Sequence, residues 1–386
     1  MLLWRSGELM PLDRIVEEQQ ARGALYGTAI HDNRRELRLE IIRRRQPELV
    51  ALGSSVALDM RQEYFNAGFA CACQATDSID DAETFVDAML AVVRPKLVLF
   101  FVDYWWFASK RPQIREPLKL DPEAEITRRK LFAPTNWLRE KRLSPAEYFA
   151  LLGGERDLHR ATLHPKIGMM AIKRGLGIRA DGSELSGLRL DSGAPAYYAE
   201  ARELIRAADR FARNGGEWDG AGTRIAADSR VQPERLQALD RVLGKLRGAG
   251  VQVTLFLAPV APPLAAAMNR DRRHRYLDEL DHALAMRGDA YYNFHDSRRA
   301  GSTDLCEFSD TVHSGNVMFM RMLRAILVRE PRSPLARYVN RARIEDAIAR
   351  FAGRTIAPLE TGLYVAPEVD FLEAGCRRKP ADSVGQ

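Results

Sequence analysis

Cysteine is scarce: Cys71, Cys73, Cys306 and Cys376 are the only four in 386 residues. They are too few for a disulfide scaffold and lack the paired Cys-x-x-Cys spacing of a zinc site, so they read as buried thiols. Long apolar runs are missing too. The longest, Leu97 to Val102, is cut by Asp103, well short of the ~20 residues a membrane helix needs. Met1-Leu2-Leu3-Trp4 is too short for a signal peptide or an anchor. No Gly-x-Gly-x-x-Gly follows the first strand, which sets dinucleotide binding aside, and no ligand cluster supports a metal or other cofactor. Internal repeats and low-complexity segments are absent. Charge of one sign is modest: 58 basic against 52 acidic residues leave +6, with a pI near 9.2. Spread along the chain, that excess points away from dedicated nucleic-acid binding and only weakly toward an anionic partner or membrane surface.

What is present describes an ordinary folded protein, 46% hydrophobic and 28% charged, long enough for a sizeable core. Leu49 to Leu52, ending at Gly53-Ser54-Ser55, reads as a buried strand of a parallel sheet, whose two faces must both be covered by helices. Thr76 to Arg94 predicts a helix, with Ala82, Phe85, Val86, Met89, Leu90 and Val93 on one face and Pro95 as its stop. Leu97 to Val102 is the next strand. The strand-helix alternation then lapses from residue 110 to about 222, and we expect a helical insertion there, placed as a lid or acceptor-binding element at the catalytic end of the sheet. His159 and His164 lie in it as surface or hydrogen-bonded histidines. The pattern resumes with a helix from Pro233 to Arg247, a strand from Val251 to Leu257, a helix from Leu264 to Arg287 and a strand from Tyr291 to Phe294.

Both ends of the chain fall outside this pattern. Residues 1–45 form a helical extension over Pro11 to Gln20 and Asn33 to Arg45. In the second helix Arg34, Arg35, Arg38, Arg43, Arg44 and Arg45 crowd the positions around an apolar stripe of Leu37, Ile41 and Ile42. Such a run is a solvated face or, alternatively, a membrane-proximal surface touching anionic headgroups. Residues 46–330 form the main domain. Residues 331–386 are an appendage, with a helix from Arg341 to Phe351 and a disordered tail from Gly375 to Gln386.

Chemistry collects beyond the carboxyl ends of strands in open α/β sheets, so a serine after the first strand is a candidate nucleophile. It needs a base and a group that orients the base. Asp310 and His313, three apart, supply both: His313 to take the Ser55 proton, Asp310 to hold the imidazole. Ser54 stays in reserve. Gly68, read in a loop beside the nucleophile, offers an N–H to an oxyanion beside that of Ser55, or is a plain turn glycine.

Three of these pieces together resemble a known family. Gly53-Ser54-Ser55-Val56, Asn66-Ala67-Gly68 and Asp310-x-x-His313 look like the first, second and last blocks of the SGNH (GDSL-like) hydrolase superfamily. With Asp103-Tyr104-Trp105-Trp106-Phe107, they resemble its bacterial envelope members: the acyltransferases and esterases of exopolysaccharide O-acetylation, and the D-alanyl-lipoteichoic acid biosynthesis protein. The resemblance covers residues 46 to 109 and 250 to 325. It implies a three-layer α/β/α, flavodoxin-like SGNH hydrolase fold with a mainly parallel sheet. It also implies a Ser55-His313-Asp310 triad with no cofactor, transferring an acyl group, acetyl foremost, to or from a carbohydrate. Asn66, Asp103, Trp105 and Trp106 would line the substrate side, although the two indoles read first as wall and core packing and only second as a sugar platform. In the third block Val102 stands where the family usually has Asn, so one oxyanion donor is missing.

The resemblance further implies a polysaccharide acceptor, an acyl donor, a membrane-bound acyltransferase partner and a periplasmic or other extracytoplasmic location, with membrane attachment through a segment absent from this chain. Cys71 or Cys73, just after the second block, would lie near Cys306 and could bridge the rim of the site in an oxidising compartment. Two other readings stay open: a non-catalytic scaffold or polysaccharide-binding component, and a cytoplasmic lipase-like esterase.

Overall fold

The structure is a computed structural model; it describes residues 1–109, 131–156, 158, 164–175, 177–185, 195–216, 227, 229–357 and 370–376. Nine strands are present among these residues: β1 (Leu25–Tyr26), β2 (Leu49–Gly53), β3 (Phe69–Cys73), β4 (Leu97–Val102), β5 (Lys166–Ile167), β6 (Gly177–Ile178), β7 (Glu184–Leu185), β8 (Gln252–Leu257) and β9 (Ala290–Asn293).

Five of them form one parallel sheet in the order β3-β2-β4-β8-β9. Counted by their own succession this is 2-1-3-4-5, a doubly wound order in which helices must cover both faces. Of those strands β2, β3 and β4 are apolar throughout and buried at every position. On one face the helices Arg34–Arg45, Ile79–Val92 and Pro233–Gly248 pack side by side. On the other, Asn316–Arg329 sets Phe319 edge-on against Phe101 of β4, which itself stacks on Phe256 of β8. The result is an α/β protein of three layers.

The helices form where their sequences cap and stripe them. In Ile79–Val92, the Ser78 side chain accepts the Asp81 N–H, and Ile79, Ala82, Phe85, Val86 and Met89 are buried at helical spacing. The helix expected from Leu264 to Arg287 is two, Pro262–Arg270 and Tyr276–Ala285. Asp271 divides them because its carboxylate accepts the Arg273 N–H and starts a separate turn.

The remaining four strands make a second, small sheet in the order β5-β1-β6-β7. It unites the N-terminal segment with part of the insertion, so neither is a separate unit. It also covers the open edge of β3: the Cys71 N–H donates to the Asp181 carbonyl, and Arg179 pairs with Glu63 at 2.5 Å. The insertion is therefore partly strand. Its described strands clamp an edge of the main sheet, while its helix Pro195–Asn214 packs on the helix Pro262–Arg270 that follows β8; His164 is half-buried beside Gly23. His159 and residues 110–130 and 217–222 lie outside the described residues, and the lid expected of them with them.

The arginine-rich helix Arg34–Arg45 is a layer of the main domain. Leu37, Ile41 and Ile42 are fully buried, Arg35 pairs with Asp81 at 3.2 Å, and Arg38 is itself buried, its guanidinium pushed down to about 10 by burial. Arg43 and Arg44 bind Glu40, and Arg45 donates to the Phe69 carbonyl and to Gln62. Of the six arginines of the expected basic membrane face, two are thus buried and three more are engaged by partners within the chain.

The C-terminal part is equally integrated. Arg341–Phe351 is a helix as expected, but it packs on Asn316–Arg329 with Ile344, Ala347, Ile348 and Phe351 in the core. The tail expected from Gly375 onward is described only to Cys376, and residues 377–386 lie outside the described residues.

Candidate active site

The β2 strand stops at Gly53 for a steric reason: a Cβ there would lie 2.9 Å from both the Cβ and the carbonyl oxygen of Phe101. Only glycine lets β2 and β4 close up at this end. The chain then turns immediately. The Ser54 hydroxyl accepts the Val56 N–H, and Ser55 opens a 3-10 turn over Ser55–Ala57. A nucleophile at the first position of such a turn projects from the sheet edge, and its own N–H is not consumed by the turn's hydrogen bonds.

Facing it is the loop between Phe308 and Ser314, whose ends pair across an antiparallel bridge. The Asp310 carboxylate builds this loop. One oxygen accepts the N–H groups of Val312 at 2.8 Å and His313 at 2.7 Å; the other accepts from His313 Nδ1 at 2.6 Å. The three-residue spacing thus serves two ends, folding the loop and orienting the ring. With Nδ1–H held by a carboxylate, Nε2 is the acceptor, and it lies 2.9 Å from Ser55 Oγ. Asp310 is 3% exposed while the His313 side chain keeps 22% of its surface, so the relay is rooted in the protein and open at its outer end.

The loop is braced from outside the main strand pattern. The Ala261 N–H donates to the Thr311 carbonyl, holding it against the end of β8. Glu307, fully buried, pairs with Arg321 at 2.9 Å and accepts the Gly353 N–H; the Thr355 hydroxyl donates to the Cys306 carbonyl. Gly315 lets Thr355 approach, since a Cβ there would fall 1.8 Å from the Thr355 carbonyl oxygen. The braces span long sequence separations, and nothing local in the sequence marks them.

Of the other expected site residues, Asp103, Trp105 and Trp106 reach this edge. Asp103 directly follows β4, and the pairing of Leu52 with Phe100 carries Ser55 and Asp103 to the same end of the sheet, where Asp103 is 2% exposed. Gly68 and Asn66 do not. They precede β3, a strand that sequence reading missed; parallel pairing of Leu49 with Phe69 then puts them at the amino end of the sheet, the whole length of β2 away from Ser55, roughly 16 Å or more at about 3.3 Å per residue. There the Gly68 carbonyl accepts the N–H groups of Glu48 and Leu49, and Asn66 binds the backbone of Tyr338 and Val339. Gly68 is therefore no oxyanion donor and Asn66 no substrate contact. The position beside the nucleophile at the end of β3 belongs to Gln74-Ala75-Thr76. Gln74 is left-handed, φ 64°, and its N–H is tied to the Gly53 carbonyl at 2.7 Å. The apolar run Phe69-Ala70-Cys71-Ala72-Cys73 was the signal that could have revealed it.

Trp105 and Trp106 form a 3-10 turn folded over the end of β4, 7% and 2% exposed. Trp106 packs against Phe100 and Trp105 against Tyr104, so both indoles are wall, and neither presents a face to a sugar. On the other side of Tyr104, at 5.0 Å, lies the His295 ring, whose pKa burial pushes down to about 4. The cysteines differ from both expectations: they are neither thiols nor a rim bridge. Cys71 pairs with Cys73, two apart on one face of β3, and Cys306 with Cys376, at Cα separations of 5.2 and 5.7 Å. The second pair ties the base of the His313 loop to the C-terminal segment.

Among the described residues no three His, Cys, Asp or Glu side chains gather as metal ligands, and no helix is long and apolar enough to cross a membrane. Compared with protein-family models and with curated proteins, the chain matches none.

Proposed function

We propose that the protein is a serine-dependent acyl-transfer enzyme of the SGNH hydrolase type. The observation that carries this reading is the continuous chain from Ser55 Oγ through His313 to Asp310, drawn together across 258 residues at the carboxyl end of a parallel sheet. His313 Nε2 accepts the Ser55 proton as Oγ attacks an ester carbonyl. Asp310 stabilises the resulting imidazolium, which then protonates the leaving alcohol. The Ser55 N–H faces the oxyanion. A second acceptor resolves the acyl-enzyme: water gives an esterase, a sugar hydroxyl an O-acyltransferase.

The 2-1-3-4-5 strand order supports the finer SGNH assignment. Envelope polysaccharide as acceptor, acetyl as acyl group, a membrane-bound acyltransferase as partner and an extracytoplasmic site of action extend the sequence resemblance and are part of the same proposal.

A second reading, a non-catalytic scaffold of that fold, rests on a specific observation: Val102 supplies no polar side chain and Gly68 lies at the wrong end, which leaves the Ser55 N–H alone of the three expected donors. The two are separated by p-nitrophenyl acetate hydrolysis and fluorophosphonate labelling of the protein and its Ser55→Ala and His313→Ala variants. Catalysis predicts turnover and a label on Ser55, both lost in the variants. Wild-type protein that neither turns over nor labels above the variants refutes the triad as a working one.

A further inference from the structure

Water-exposed apolar side chains are unevenly distributed over this protein. Among the described residues eight large ones stand exposed, and six of these, Met1, Trp4, Leu9, Leu131, Phe132 and Phe149, lie in or beside the helices Leu2–Arg5, Ala133–Arg139 and Pro145–Leu152. These helices share a small core of their own, with Leu2, Leu3, Trp137, Leu143 and Leu151 buried in it. The outer rings are therefore surplus to packing: Trp4 is 67%, Phe132 62% and Phe149 69% exposed. Exposed rings concentrated on these few helices carry a cost that a soluble surface has no need to bear.

Their surroundings indicate what covers them. Over residues 1–5 and 131–152 there are four basic side chains, Arg5, Arg139, Lys141 and Arg142, against two acidic ones, Glu140 and Glu147. The Arg5 guanidinium lies 5.6 Å from the centre of the Trp4 ring, keeping a cation beside the most amphipathic of the rings. Aromatic side chains interleaved with cations match the boundary between acyl chains and anionic headgroups, where Trp and Phe sit at the carbonyl level and Arg and Lys reach phosphate.

We propose that this layer is a membrane-contact surface for a bilayer carrying anionic lipid, with Trp4, Phe132 and Phe149 inserted and Arg5, Arg139 and Lys141 on the headgroups. It assigns membrane contact to the small layer and takes it from the Arg34–Arg45 helix. It does not depend on the triad, and its test involves no turnover.

The test is co-sedimentation of the full chain with vesicles of phosphatidylcholine plus phosphatidylglycerol, and with phosphatidylcholine alone. Binding to the anionic vesicles, accompanied by a blue shift of tryptophan emission that Trp4→Phe removes, is expected. Trp4→Ser combined with Phe149→Ser lowers the partition coefficient roughly tenfold or more, from the apolar area of two rings. Arg5→Glu with Lys141→Glu, which leaves the rings in place, lowers it severalfold, as does added salt. Wild-type protein that stays in the supernatant overturns the proposal, as does a ring variant that binds like wild type or equal binding to both vesicle types. So does a self-association of the chain that the ring variant abolishes, which assigns the patch to a second copy.

Discussion

Two short glycine loops in this protein look alike in sequence and stand at opposite ends of its sheet. Gly53-Ser54-Ser55 follows β2, and Asn66-Ala67-Gly68 precedes β3. The first meets the histidine loop; the second binds the start of β2 and backbone from the C-terminal segment. In a parallel sheet every strand must start from the same side, so a loop that closes one strand and a loop that opens the next cannot share an edge. A motif is informative only once its side of the strand is known.

The largest test of this contrast is at the carboxyl end. Asp310→Asn keeps the size of the side chain but removes the charge that selects the Nδ1–H tautomer, and on the proposed function kcat/KM falls about a thousandfold or more. Ester hydrolysis measured beside the melting curve separates lost chemistry from lost loop structure.

Next come two changes of stability. The buried His295 ring, which is neutral in the fold, gives a pH signature. An unfolded histidine takes up its proton near 6.5 while the folded one waits until about 4. The unfolded state therefore binds more protons in that window, and stability falls as pH drops through it by about 3 kcal/mol from this group. His295→Leu is expected to flatten this part of the denaturation profile; an unchanged slope removes His295 as its source. Gly53→Ala forces a methyl group against Phe101 and costs about 1–3 kcal/mol in chemical denaturation, with activity falling as Ser55 is displaced.

The smallest effect is expected at the other loop. Nothing approaches a Cβ at Gly68 closer than 3.8 Å and its backbone is not left-handed, so Gly68→Ala should leave stability within about 0.5 kcal/mol and activity near wild type. A large loss of turnover there would restore an oxyanion role that the fold denies it. Gly53→Ala and Gly68→Ala, measured together, test the contrast directly.

Much of the main domain was legible because it rests on local physics. Apolar runs marked β2, β4 and β8. Ser78 and the stripe from Ala82 to Met89 marked a helix, Pro233 marked the start of another, and Arg341–Phe351 read to the residue. β3 was missed because alanine and cysteine make a short run of weak hydrophobicity, and that one omission misplaced Asn66 and Gly68. Asp310 and His313 were legible because their contact is local, three residues apart, and written into the loop they fold.

The sequence alone determined what depends on neighbours a few residues away: strand, helix, cap and the Asp310-His313 pair. Tertiary structure decided what depends on distant segments meeting. It brought Ser55 to His313, turned Trp105 and Trp106 inward, joined the N-terminus to the insertion in a second sheet, and paired Cys306 with Cys376. The reason is that burial and partnership follow from which faces pack together, and in this fold they pair residues as far apart as Ser55 and His313, a separation no local pattern encodes.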